Sequence, residues 1–270
     1  MLKLIIFSIS VYIVWVFATY ILEGGINLLH TNDPLGRVAY TIIANILIGT
    51  VVGFILLKLF LRSNFVTQKQ LGFQSPIRIF ILVGVAAIAG FLLFSIEASV
   101  SLNPVVIVNV FSQTLPTSIA EVVVCWMVVG TVFESLAQRG MDKKDDNTIR
   151  KIRGHVRTTS ILSVIIASLV SIVVFGVYHF AHSPPFNQPN MVIFLMIPAI
   201  LTSVFYFVGQ EVYSTIIIHN ILALIGVSGS IDPTPLAHPL YPAMTLALVS
   251  VIVLITLDLF LVRRTRTIHV

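Results

Sequence analysis

Charge is what this chain has least of. Of its 270 residues, 10% are Asp, Glu, Lys or Arg and 57% are hydrophobic, with a mean hydropathy of +1.02. A soluble domain of this size carries about 25% charged residues. Too few polar side chains remain to cover a water-facing surface, so the composition is that of an integral membrane protein. There is one cysteine, Cys125, in an apolar stretch, which excludes an intramolecular disulfide. Heptads, solenoid periods and low-complexity linkers are missing too. Residues 1–270 read as a single all-α transmembrane domain.

Long apolar runs are what it has in abundance. A span needs about 20 mostly apolar residues to cross about 30 Å of hydrocarbon. Eight segments qualify: 4–22, 39–61, 78–99, 104–138, 159–182, 191–208, 211–228 and 240–262. The first has no small-residue cleavage site and reads as a transmembrane helix rather than a signal peptide. The fourth is long, and Pro116, which lacks an N–H, is expected to interrupt it. Gly209 and Gln210 alone join the sixth to the seventh, a tight helical hairpin.

Basic residues set the orientation. They flank the second loop (Arg62, Lys69, Arg78), fill the fourth (Arg139 to Arg157) and return in the tail (Arg263, Arg264, Arg266), with Lys3 at the start. The alternate loops hold only Arg37. With eight spans every basic cluster falls on one side, which predicts cytoplasmic N- and C-termini. The loop "RGMDKKDDNTIRKIRGHVR" reads as a topology signal facing anionic lipid headgroups, not as a nucleic-acid patch.

A charged residue at mid-membrane costs about 2.5–3.5 kcal/mol even on lenient insertion scales, so such groups face a protein interior or a wet cavity. The candidates are Glu97, Glu121, Glu134, His179, His182, His219, Asn220 and Asp258. Glu97 and Asp258 lie near span ends, where they can snorkel or pair. Asn45 and Gln113 suit interhelical hydrogen bonding. His155, His30, His238 and His269 belong to loops or the tail.

Glu121, in "LPTSIAEVVVCWMVVG", is deep in its segment. If Pro116 restarts the helix, with Thr117 or Ser118 capping it, Glu121 sits near the positive end of a helix dipole. His179 and His182, in "FGVYHFAHSPPFN", can address one cavity, and His219 with Asn220 lies in "YSTIIIHNILALIG". At about 1.5 Å per residue, His179 is about 33 Å up its helix from Arg157, whereas His219 is about 12 Å from the cytoplasmic edge. For the two to meet, the helices must tilt strongly or part of 158–164 must be an interfacial turn.

One Glu and two or three His on three helices suit hydrolysis: a general base activates water, and donors stabilise the tetrahedral oxyanion. No metal is required for that, although Glu121, His179, His182 and His219 also suit zinc or iron. A proton relay in a transporter or ion pathway, or a scaffold without chemistry, are the other readings.

The order "AEVVVCW", "FGVYH", "IIIHN" in successive hydrophobic helices resembles the CPBP intramembrane proteases, which include the type II CAAX prenyl endopeptidases. Their pattern is Glu-Glu-x-x-x-Arg, then Phe-x-x-x-His, then a late His followed four residues on by Asn or Asp. The resemblance runs from Leu115 to Val227, within a core of about 104–228. Phe175-x-x-x-His179 fits fully and His219 fits, but Val122, Trp126 and Ala223 stand where the family has Glu, Arg and Asn or Asp. A rival first motif is Glu134-Ser135-x-x-x-Arg139, close to the end of its helix; there Glu134 reads as a surface-pairing residue.

The resemblance implies an eight-helix fold and glutamate-dependent peptide hydrolysis. Glu121 and His179 would activate water and His219 would bind the oxyanion, with His182 supporting or contacting substrate. Thr215, on the His219 face, is another candidate donor. The implied partners are membrane lipid and a peptide or membrane-protein substrate.

Overall fold

The computed structural model describes residues 2–31, 33–97, 101–145, 153–230 and 237–263, without the side chains of 142–145 and 153–160. The side chains of His155, Arg150, Lys151, Arg153 and Arg157, and residues Arg264, Arg266 and His269, fall outside that description. The described residues contain no strand. Eight helices are long and apolar enough to cross a membrane: α1 Leu2–His30, α2 Pro34–Arg62, α3 Pro76–Ile96, α4 Pro104–Met141, α5 Ile161–His179, α6 Pro189–Val208, α7 Val212–Ser230 and α8 Tyr241–Val262. The chain is a multi-pass membrane protein.

The helix starts follow local chemistry. Pro34 opens α2, where its missing N–H costs nothing, and the Asp33 carboxylate accepts from Gly36 N at 2.9 Å. Asn103 does the same for α4, accepting from Val105 N beside Pro104. The short α6–α7 turn contains Gly209 and Gln210, the latter at φ 52°, and Glu211 caps α7 by accepting from Tyr213 N and Ser214 N.

Helix α4 is the axis of the bundle. Of its most apolar stretch 89% is buried, against 11% for α3 and 17% for α1. It packs on α1, α2, α5, α7 and α8, while α3 rests on α7. The outer helices turn large apolar side chains outward, among them Phe80, Phe91, Ile193 and Leu248. That surface has only lipid tails as a compatible solvent. Close approach comes from small residues: a Cβ on Gly49 of α2 would stand 2.6 Å from the Ala120 Cβ of α4.

The interruption expected at Pro116 takes another form. Helical winding runs through the proline to Glu121 and then loosens to π-type over Val122–Gly130. Thr117 and Ser118 do not cap a new start. Thr117 Oγ1 accepts from Asn45 Nδ2 on α2 at 3.0 Å, and Ser118 Oγ donates to Asn220 Oδ1 on α7 at 3.0 Å. Neighbouring helices use the hydroxyls that a restart would have needed. Glu121 is therefore the last residue before a π segment rather than an early residue of a new helix; such segments often mark functional sites.

Nor is there an interfacial turn in 158–164, because the helix runs unbroken over Arg153–Tyr178.

Candidate functional site

Glu121 of α4 stands between two imidazoles. Its Oε2 is 2.7 Å from Nε2 of His219 on α7, and its Oε1 is 3.9 Å from Nε2 of His179 at the end of α5. The three side chains are 5–10% exposed, so all are desolvated together. One short contact and one long one give the carboxylate two different environments.

Each ring has its second nitrogen already committed. Nδ1 of His179 lies 2.9 Å from the Phe175 carbonyl oxygen, which can only accept, so Nδ1 carries the proton and Nε2 faces Glu121 as a lone pair. Nδ1 of His219 lies 3.0 Å from Thr202 Oγ1 on α6. The carboxylate at Nε2 can only accept, so Nε2 carries that ring's proton and Nδ1 accepts from the Thr202 hydroxyl. His219 then donates from Nε2 to the Glu121 carboxylate.

Aromatic rings wall the cluster. The Phe175 ring lies edge-on to His179 at 4.5 Å and to His219 at 5.2 Å between centroids, and Trp126 stands 5.3 Å from both Phe175 and His219. Trp126 Nε1 donates to Ser203 Oγ at 2.9 Å, which fixes the indole. On the α1 side Tyr178 stacks on Trp15 at 3.8 Å, and its hydroxyl meets that of Tyr40 at 3.3 Å.

A second carboxylate, Glu23, completes the group, and its role was not foreseen from the sequence. It is 1% exposed, and its Oε2 lies 3.1 Å from Nδ1 of His182. Both its oxygens accept from Ser183 N, at 3.2 and 2.9 Å. The contact depends on Gly24, because a Cβ there would overlap the Ala181 carbonyl oxygen. The end of α1 therefore presses directly on the turn that carries His179 and His182. The usable signal was a lone carboxylate closing an apolar span, followed by "GG". Thr202 carried no signal, since hydroxyls are ordinary in spans.

The two rings of that turn lie 5.2 Å apart, centroid to centroid. One ligand atom each from Glu121, His179 and His182 falls within 4.8 Å of the others, so this group can hold a metal ion. His219 joins the cluster through Glu121.

Other candidates are engaged elsewhere. Asn220 accepts from Ser118 and donates to Phe111 O at 3.2 Å, tying α7 to α4. Thr215 donates to Glu211 O at 2.6 Å. Glu134 is buried rather than surface-paired: its Oε1 accepts from Gln138 Nε2 at 3.3 Å. Arg139 instead donates to the Asn64 and Phe65 carbonyls, with its guanidinium 4.6 Å from the Phe65 ring centroid. A cavity of about 200 Å³ opens there, lined by Asn64, Gln70, Ser135, Gln138 and Arg139, and it holds no member of the Glu121 cluster.

The supporting polar residues behave as their surroundings require. Asn45 bridges α2 to α4, and Gln113 accepts from Arg37, whose other nitrogen reaches the carbonyls of Leu28, Leu29 and Thr31. Asp258 pairs with Arg263 at 3.0 Å and accepts from Tyr213. Glu97 is exposed at the end of α3, and His30 meets Pro184 O at 2.7 Å. The backbone carbonyl of His238 accepts from Asn109.

Searches of protein-family models, of curated proteins and of solved structures found no match for this chain.

Proposed function

We propose that this protein is an intramembrane endopeptidase that hydrolyses a peptide bond with a water activated by Glu121 and His179. The observation that carries the reading is the 3.9 Å gap between Nε2 of His179 and Oε1 of Glu121, two acceptors facing each other in a desolvated site. A water about 2.8 Å from each can donate one proton to each, which leaves its oxygen lone pairs free to attack a carbonyl.

Attack transfers the water's proton to Glu121. The neutral carboxyl then holds His219 less strongly, and the Nε2–H becomes free to donate to the developing oxyanion. Protonated Glu121 next gives its proton to the leaving amine. Thr202 keeps His219 in the donating tautomer throughout. Phe175 and Trp126 exclude bulk water and hold both rings. Access is from the α5 end, where the His179 and His182 side chains keep 10% and 11% exposure.

The ordered Glu121, Phe175-x-x-x-His179 and His219 set, resembling the CPBP proteases, supports this assignment. The placement of Lys and Arg separately predicts both termini in the cytoplasm. The test is incubation of the detergent-purified protein with a library of membrane-spanning peptides, with products identified by mass spectrometry. Wild type yields defined fragments, and Glu121→Ala and His179→Ala yield none while eluting as folded protein. Cleavage retained by either variant overturns the reading.

One observation favours a second function. Glu23, His182, His179, Glu121 and His219 form a row of neighbouring titratable groups, as a proton pathway needs. Proton flux in proteoliposomes without peptide cleavage would decide for it.

A further inference from the structure

We infer that the cluster binds a divalent transition-metal ion, zinc by its donor set, on Glu121, His179 and His182, with Glu23 as the outer partner that orients His182. Donors and acceptors are out of balance in the cluster. Nε2 of His179 is a lone pair, because its Nδ1–H is given to Phe175 O. Nδ1 of His182 faces the Glu23 carboxylate and so carries that ring's proton, which makes Nε2 a lone pair as well. That Nε2 is buried and has no hydrogen-bond partner. Oε1 of Glu121 is a third acceptor. One ligand atom from each of the three residues lies within 4.8 Å of the others, and these assignments leave the group with acceptors and no donor.

A buried acceptor without a partner costs about 1–3 kcal/mol. One water can donate to only two of the three. A cation satisfies all of them, and two imidazoles with one carboxylate form a known open zinc set, with a fourth position left for water.

The surroundings match as well. Metal-binding histidines almost always donate the second N–H to a carboxylate or a backbone carbonyl, and metal-binding carboxylates are themselves hydrogen-bonded. His182 gives its N–H to Glu23, His179 gives its N–H to Phe175 O, and Glu121 receives His219 on the oxygen turned from His179. All three ligands are thus held from behind, each by a different element.

Ligands of a tetrahedral zinc at about 2.0–2.1 Å lie about 3.4 Å apart. The 3.9 Å between His179 and Glu121 is already close to that, and all three ligand atoms lie within 4.8 Å of one another. Glu23 answers a separate question. A buried carboxylate far in sequence from the Glu121, His179 and His219 segments caps the Ser183 turn, and as the outer partner of a ligand it also orients His182.

Binding of the ion stands apart from the hydrolytic reading; only its use depends on that reading. There the ion would lower the pKa of the attacking water, with Glu121 and His179 serving as its ligands instead of accepting directly from the water.

The experiment strips the purified protein with a chelator, titrates it with zinc, and counts bound metal by elemental analysis. Wild type is expected to take up one zinc per chain. Glu23→Gln should bind about 10–100-fold more weakly, His182→Ala should lose stoichiometric binding, and His238→Ala, on an exposed loop, should match wild type.

X-ray absorption at the zinc edge on wild type needs no variant to fold, and it should show histidine nitrogen in the first shell. Zinc that binds wild type no more tightly than His182→Ala, or a spectrum without histidine, overturns the inference. Zinc binding without peptide cleavage leaves the metal site standing and removes the protease. Cleavage by protein that takes up no zinc in the titration does the reverse.

Discussion

Nε2 of His219 and Oε2 of Glu121 stand 2.7 Å apart across 98 residues of sequence, at the centre of the α4–α7 packing. The pair is fixed from both ends: Thr202 holds the far nitrogen of the ring, and Phe175 covers its face. A buried carboxylate with a single strong donor and a lone pair facing its other oxygen has the geometry that the proposed proton transfer requires.

Thr202→Val removes the group that selects the tautomer of His219 while conserving volume. Peptide cleavage should fall about 10–100-fold, in kcat rather than KM, because ring orientation acts on the transition state. Stability in detergent should drop by about 1 kcal/mol, the net value of one hydrogen bond. Unchanged kcat would show that His219 needs no second partner.

Gly24→Ala places a methyl group on the Ala181 carbonyl oxygen. The end of α1 must then withdraw from the His179–His182 turn, stretching the Glu23 contacts to His182 and Ser183. Overpacking of this kind costs about 1–3 kcal/mol. A lowered melting temperature in detergent, with reduced cleavage, is the expected outcome. A variant as stable as wild type would show that the close approach is not required.

Trp126→Phe keeps the aromatic wall and deletes the donor to Ser203. The buried serine oxygen loses that donor, so stability should fall by about 1 kcal/mol, while cleavage changes less than in Thr202→Val. Thermal melts beside activity assays separate the two effects. A larger loss of activity than in Thr202→Val would assign the indole a direct part in the reaction.

Much of this arrangement was legible in the chain, for physical reasons. All eight spans follow from the length of their apolar runs, since hydrocarbon thickness leaves little choice. Glu121, His179 and His219 stood out because polar groups in such runs are costly. Local rules failed where a neighbouring helix competed. Pro116 was expected to interrupt α4, but Thr117 and Ser118 bond to Asn45 and Asn220 and the helix continues.

The π winding over Val122–Gly130 had no local signature among its valines. Glu23 was concealed by its position at a span end, where a carboxylate usually meets water. Only the folded chain carries the Ala181 turn over Gly24 and encloses it.

The most direct measurement is kcat/KM of Glu121→Gln beside Glu134→Gln on one peptide substrate. Both residues are buried carboxylates of α4, but only Glu121 touches the histidines. The account predicts a loss of at least about a thousandfold for Glu121→Gln, in the range seen when general-base function is removed, and near wild-type cleavage for Glu134→Gln. Cleavage that survives in the first variant and disappears in the second would contradict it.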